Sequence, residues 1–127
     1  MEVIVLDKIA KSYKKAVETQ VRRLARFLPR KREIEVYLIS GRRMRNLNRR
    51  FRGKNCSTNV LSFQKPKNFP GSKIGEVYLD HLYIKNHKED LSLMLVHGVL
   101  HILGYDHKKE SDRIKMEKRE RRLLELL

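Results

Sequence analysis

Three of the chain's five histidines fall in one short run, His97-Gly98-Val99-Leu100-His101-Ile102-Leu103-Gly104-Tyr105-Asp106-His107. On a helix, His97 and His101 share a face, with Cβ atoms about 5–6 Å apart. Both imidazoles can then reach one ion at about 2.0–2.1 Å. Gly104 can end that helix in the left-handed conformation and reverse the chain, returning His107 to the same ion. Three imidazoles on a tetrahedral ion leave one position for water, the arrangement of a catalytic rather than a closed structural site. Zinc is the first choice for this donor set, with nickel, cobalt or copper behind it. Bound zinc lowers the pKa of water to about 7 and can act as a Lewis acid on a phosphoryl oxygen.

The run matches the metzincin signature H-E-x-x-H-x-x-G-x-x-H at every position but one. Zinc peptidases carry a glutamate base after the first histidine, and here that residue is Gly98. The spacing therefore predicts a shared metal geometry serving a different substrate, and a peptidase ranks last. Asp106, beside the third histidine, can orient an imidazole or cap the following turn. Cys56 as a fourth ligand would make the metal structural. His81 and His87 are expected to play ordinary surface roles.

The remaining elements must position these residues. Val3 to Leu6 reads as a short buried strand. Residues 8–28 read as an amphipathic helix carrying Ile9, Tyr13, Val17, Val21, Leu24 and Leu28 at three- and four-residue steps, with Pro29 at its exit. Glu33 to Ile39 alternates, with Ile34, Val36 and Leu38 on one side, as a strand does. Ser40 can cap a second helix of about ten residues, with Met44, Leu47 and Phe51 as its buried stripe and its arginines facing out. Residues 52–58 form a loop, Val60 to Phe63 a third strand, 65–73 a connection, and Ile74 to Leu79 a fourth strand. Leu91 to Leu103 is a helix apolar on nearly every side, expected to be central and buried, with Glu89 and Asp90 complementing the dipole at its start. A last helix over about 110–126 carries Ile114, Leu123, Leu124 and Leu127. These elements predict a single α+β domain over residues 1–127, with helices packed on a mixed sheet of about four strands. Its central helix would hold the metal ligands.

Charge points to the partner. The 127 residues carry a net charge of +15, and residues 8–54 hold 17 of the 30 Lys and Arg against 3 of the 15 acids. Within 41–54 there are seven basic side chains and no acid. A field this lopsided favours a polyanion, nucleic acid above all. No apolar run of about 18 residues spans a membrane, and the first residues lack the layout of a signal peptide. A lone cysteine excludes an internal disulfide framework and fits a reducing cytoplasm.

A second signature runs from Asn48 through Phe51-Arg52-Gly53-Lys54 to Thr58-Asn59-Val60-Leu61-Ser62-Phe63. Together with the histidine run it closely resembles the YbeY family of bacterial endoribonucleases, over about residues 35 to 107. The family pattern has an aromatic-Arg pair, then Thr-Asp/Asn-Val-Leu-Ser-Phe, and later H-G-x-L-H-x-x-G-Y-D-H. The resemblance implies a zinc-dependent, single-strand-specific endoribonuclease acting in ribosomal RNA (16S 3′ end) maturation and ribosome quality control, in the cytoplasm. The implied partners are the small ribosomal subunit and ribosome-associated proteins. It implies that His97, His101 and His107 hold one zinc ion and that Arg52 and His97 are the catalytic residues, with Arg52 on the scissile phosphate. A planar guanidinium suits that task, because it fits phosphate oxygens and stays charged at any working pH. Two departures stand out: Asn59 where many members have Asp, which leaves no general base to assign, and Glu76 where many have Asp. Attack by hydroxide generated at the metal and attack by the RNA 2′-hydroxyl both remain open. A non-catalytic ribosome assembly factor with structural zinc is the alternative.

Overall fold

Alternating apolar and polar side chains build a four-stranded mixed sheet. Its strands are β1 (Glu2–Val5), β2 (Glu33–Ile39), β3 (Val60–Gln64) and β4 (Lys73–Asp80), in the spatial order β1-β2-β4-β3. β1 runs parallel to β2 and β2 parallel to β4, while β3 pairs antiparallel with β4 at the edge. Five helices pack on this sheet among the described residues: α1 (Lys11–Ala25), α2 (Gly41–Arg52), α3 (His81–Asn86), α4 (Leu91–Ile102) and α5 (Glu110–Leu126). The structure is a computed structural model that describes residues 1–29 and 31–127. The expected α+β class is what the chain adopts.

Successive strand residues point to opposite faces, and the two faces differ. Ile34, Val36 and Leu38 of β2 join Val77 and Leu79 of β4 in the main core, with Val17, Val21 and Leu24 of α1 and Leu95, Val96, Val99, Leu100 and Ile102 of α4. The central helix predicted from its apolar composition is therefore α4, wedged between the sheet and α5. On the opposite face Ile39, Met44 and Leu61 form a smaller cluster under α2. There Tyr37 and Tyr78 stack with ring centroids 4.7 Å apart, and Lys73 bridges Glu35 and Glu76. Burial opposes ionisation of Glu76, but hydrogen bonds from Lys73 and Tyr78 outweigh it and hold the carboxyl below its ordinary range. Glu76 thus belongs to an ion-paired patch on the face away from α4.

Several expectations needed correction. The first helix is shorter than 8–28: Arg26, Phe27 and Leu28 close a tightened turn of i→i−3 bonds ahead of Pro29, because the residue before a proline is pushed out of the helical region. Phe51 is not core. It is 56% exposed and meets Phe63 edge-on at 5.0 Å, and Asn48 takes the buried place on α2 beside Met44. Ile114 is likewise 44% exposed, while Met116 and Leu123 supply the buried seam of α5. The short helix α3 (His81–Asn86) has no counterpart among the expected elements. Asp80 caps it by accepting from the Tyr83 amide at 3.2 Å. His81 is half-buried, packing on Tyr13 at 4.8 Å with Nδ1 buried.

Asp80 also anchors the loop leading into β3. Its Oδ2 accepts from Ser57 Oγ at 2.7 Å, and its amide donates to the Asn59 carbonyl at 3.0 Å. Replacing a capping aspartate by alanine costs about 0.5–2 kcal/mol, and the orphaned Ser57 hydroxyl adds to that. Asp80→Ala is expected to lower stability by about 2 kcal/mol in urea denaturation followed by circular dichroism, with Asp80→Asn costing less.

Candidate metal centre

The ligand helix α4 begins at Asp90, whose side chain accepts from the Ser92 amide at 2.9 Å. Its end carries the chemistry. Gly104 adopts φ 98°, its amide donates to the His101 carbonyl at 3.1 Å, and the Tyr105 amide donates to Leu100 at 3.0 Å. This pair of bonds around a left-handed glycine is the Schellman arrangement. It turns the chain sharply enough to bring His107 back beside the helix. The ring centroids of His97, His101 and His107 lie 4.6, 5.0 and 5.6 Å apart in pairs. Their ligating nitrogens all lie within 4.8 Å of one another, so the three could hold a metal ion.

The local geometry fits such an ion. His97 Nε2 and His101 Nε2 are 3.1 Å apart, and two nitrogens on one tetrahedral ion at about 2.0–2.1 Å sit roughly 3.3 Å apart. Burial pushes the His101 imidazole down from its ordinary pKa, and the neighbouring His97 and His107 rings push it further. A neutral imidazole is the form that coordinates a metal. His97 Nδ1 donates to Glu120 Oε1 of α5 at 2.9 Å, which leaves its Nε2 lone pair facing His101. Sequence reasoning missed Glu120. Asp106 takes the capping role instead, accepting from the Lys108 amide at 3.2 Å.

A cleft of about 640 Å³ opens over the triad between α4 and the edge strand β3, lined by Arg52, Thr58, Asn59, Val60, Leu61, Ser62, Gln64, Met94, Ile102 and the three histidines. Arg52, the last residue of α2, is exposed, and the left-handed Gly53 that follows it turns the chain into the loop. Asn59 is engaged: its Oδ1 accepts from the Val60 amide and its Nδ2 donates to Glu89. Among the described residues, no carboxylate lines the cleft. Cys56 is exposed, lies against Asn48 and does not join the histidines. His87 is exposed, stacked on Tyr83, and stays apart from the triad.

Two polar side chains to which the sequence assigned no role, Ser62 and Gln64, fix the helix against the strand. Ser62 Oγ donates to the Gly98 carbonyl at 2.9 Å, and Gln64 Nε2 donates to the Ile102 carbonyl at 3.0 Å. Gly98 itself faces the sheet. A Cβ there would sit 2.8 Å from Val77 Cγ1 and 3.0 Å from Ser62 Oγ.

Compared with known proteins, residues 3–127 match the family described as Endoribonuclease YbeY. The chain belongs to the YbeY family. It is 35% identical over 107 residues to Endoribonuclease YbeY of Bartonella henselae, covering 75% of this chain and 68% of the relative. With Endoribonuclease YbeY of Neorickettsia sennetsu the identity is 38%, covering 77% and 75%. The solution structure of a Thermotoga maritima protein shares the fold, with a TM-score of 0.65, 20% identity, and 99% of this chain and 88% of that one covered. The YbeY resemblance that opened on two sequence motifs thus extends over nearly the whole chain. The histidine run and Arg52, far apart in sequence, meet in one cleft.

Proposed function

We propose that this chain is a zinc-dependent endoribonuclease that cleaves single-stranded RNA and acts in the cytoplasm on ribosomal RNA, in maturation of the 16S 3′ end and in ribosome quality control. Residues 1–127 are read as a catalytic domain of this activity. The observation that carries this reading is the convergence of three metal-competent imidazoles and an exposed arginine on one open cleft. Membership of a family named for endoribonuclease activity supports it. So does the basic segment of residues 8–54, whose arginines Arg42, Arg45, Arg49, Arg50 and Arg52 on α2 are all exposed. No helix is long and apolar enough to cross a membrane among the described residues.

His97, His101 and His107 would hold the ion, and Arg52 would meet the phosphate. When bound, the ion supplies a Lewis acid and lowers the pKa of water to about 7. Arg52 orients the scissile phosphate through its planar fork and stabilises charge gathering on the non-bridging oxygens. Ser62 and Gln64 keep α4 at a fixed height beside β3. Among the described residues no acidic side chain lines the cleft, so this chain offers no carboxylate there to take a proton from the nucleophile.

The test is incubation of the zinc-loaded protein with a single-stranded fragment spanning the 16S 3′ end, followed by mapping of the product ends. A 2′,3′-cyclic phosphate indicates attack by the RNA 2′-hydroxyl; a plain phosphate end indicates attack by water. Arg52→Ala is expected to lower kcat about 10²–10³-fold, in line with loss of one transition-state donor. Arg52→Lys should recover only part of it, since an ammonium lacks the fork. RNA that binds with a steep salt dependence, near −0.7 per phosphate in log–log slope, yet stays intact would favour a non-catalytic assembly factor.

A further inference from the structure

Glu120 is a carboxylate in an apolar seam. On α5 it stands between the buried Met116 and Leu123, four residues after one and three before the other, and its side chain is only 14% exposed. The helix has Lys118, Arg119, Arg121 and Arg122 on either side in sequence, yet among the described residues no lysine or arginine pairs with Glu120. Its recorded partner is His97 Nδ1, at 2.9 Å. Burying a carboxylate without a cation is costly, so its place needs a reason beyond packing.

We infer that Glu120 is a positioning residue for the metal centre, acting through His97. A carboxylate can only accept. The proton of the His97 ring is therefore held on Nδ1, and Nε2 carries the lone pair that points toward His101 Nε2. The bond fixes both the tautomer and the ring plane, as outer carboxylates do for ligand histidines. It also ties α5 to α4, so the last helix of the chain is a working part of the centre. A cation bound across the imidazole would offset the negative charge of Glu120. This inference rests on the metal-site reading above.

The experiment measures zinc affinity by competition with a chromogenic chelator for the parent protein, Glu120→Ala and Glu120→Gln, alongside the melting temperature of each metal-free form. Loss of an outer partner of this kind weakens metal binding about 10- to 100-fold. Glu120→Ala is expected to fall in that range, and Glu120→Gln, which keeps an acceptor but no charge, should lie between it and the parent. The cobalt(II) absorption spectrum of Glu120→Ala should shift as the His97 ring loses its orientation, a change that looser helix packing alone does not produce. Should both variants bind zinc as tightly as the parent, the role of Glu120 is refuted and the triad stands. Should the parent bind no zinc, the metal reading itself fails, and this inference with it. If Glu120→Ala does not fold, the near-isosteric Glu120→Gln decides: parental affinity and an unchanged cobalt spectrum overturn the proposal.

Discussion

Replacing His101 by alanine is expected to abolish metal loading and RNA cleavage while leaving the protein folded. His101 sits at the middle of the triad, its Nε2 3.1 Å from that of His97 and its ring 5.0 Å from His107. Without it, two imidazoles remain, one of them on the exposed turn after α4, and two neutral nitrogens do not hold an ion against solvent. Losing a Lewis acid worth roughly 4 kcal/mol in the transition state slows cleavage about 10³-fold or more. The fold should tolerate the change. The main core lies on the sheet side of α4, around Leu95, Val99 and Leu100, and His101 is not among its buried residues. Stability of the metal-free protein should change by about 1 kcal/mol or less. Zinc in large excess should raise the melting temperature of the parent, since about 1,000-fold saturation over Kd adds about 4 kcal/mol, and should leave that of His101→Ala unmoved. Metal content per chain and a gel-based cleavage assay check both halves. A variant that still carries one ion and still cuts would show that the chemistry lives elsewhere.

The parts of this site that were legible in the sequence are those written in local spacing. His97 and His101 four apart, a glycine with room for positive φ, and a third histidine three residues later specify a bend whose geometry follows from helix periodicity alone. The strand Glu33–Ile39 was legible for the same reason, its alternation being set by one buried face. What stayed hidden depends on which face of a helix meets the core. On α5, an apolar stripe drawn through Ile114 misplaces the seam. With Met116 and Leu123 as the buried pair, position 120 falls between them, and a glutamate there becomes conspicuous. On α2 the error was of the same kind. Met44 and Phe51 are seven apart, but Phe51 meets Phe63 of β3 edge-on from the exposed side, and the buried place goes to Asn48, whose Nδ2 donates to the Cys56 carbonyl at 2.9 Å. That bond links α2 to the loop after Arg52, so an asparagine in the core helps position the arginine. Pairings between distant segments, such as Ser57 with Asp80 or Ser62 with the Gly98 carbonyl, have no local signal at all.

Restoring the peptidase glutamate by Gly98→Glu is expected to destroy the fold and to yield no protease. The residue after His97 is turned about 100° from it around the helix, and in this chain that direction is the sheet. A Cβ at position 98 meets Val77 Cγ1 at 2.8 Å, Ser62 Oγ at 3.0 Å and Val60 Cγ2 at 3.1 Å. Both valines are β-branched and stiff at χ1, and Ser62 can move only by giving up its bond to the Gly98 carbonyl. Overpacking of this kind costs about 1–3 kcal/mol for a single added methyl. A glutamate adds a carboxylate among apolar side chains with no cation beside it, at several kcal/mol more. Set against a typical total stability of about 5–15 kcal/mol, Gly98→Ala should remain folded with a urea midpoint clearly lowered, while Gly98→Glu should be insoluble or lack a cooperative transition. Neither should degrade casein. A soluble Gly98→Glu with the parental midpoint would mean that position 98 opens onto the cleft instead of the sheet, and the steric ground for excluding peptidase chemistry would be lost. The same close approach explains why the helix carrying the histidines can lie so near β3: the glycine that removes the peptidase base also lets the metal ligands stand beside the edge strand and Arg52.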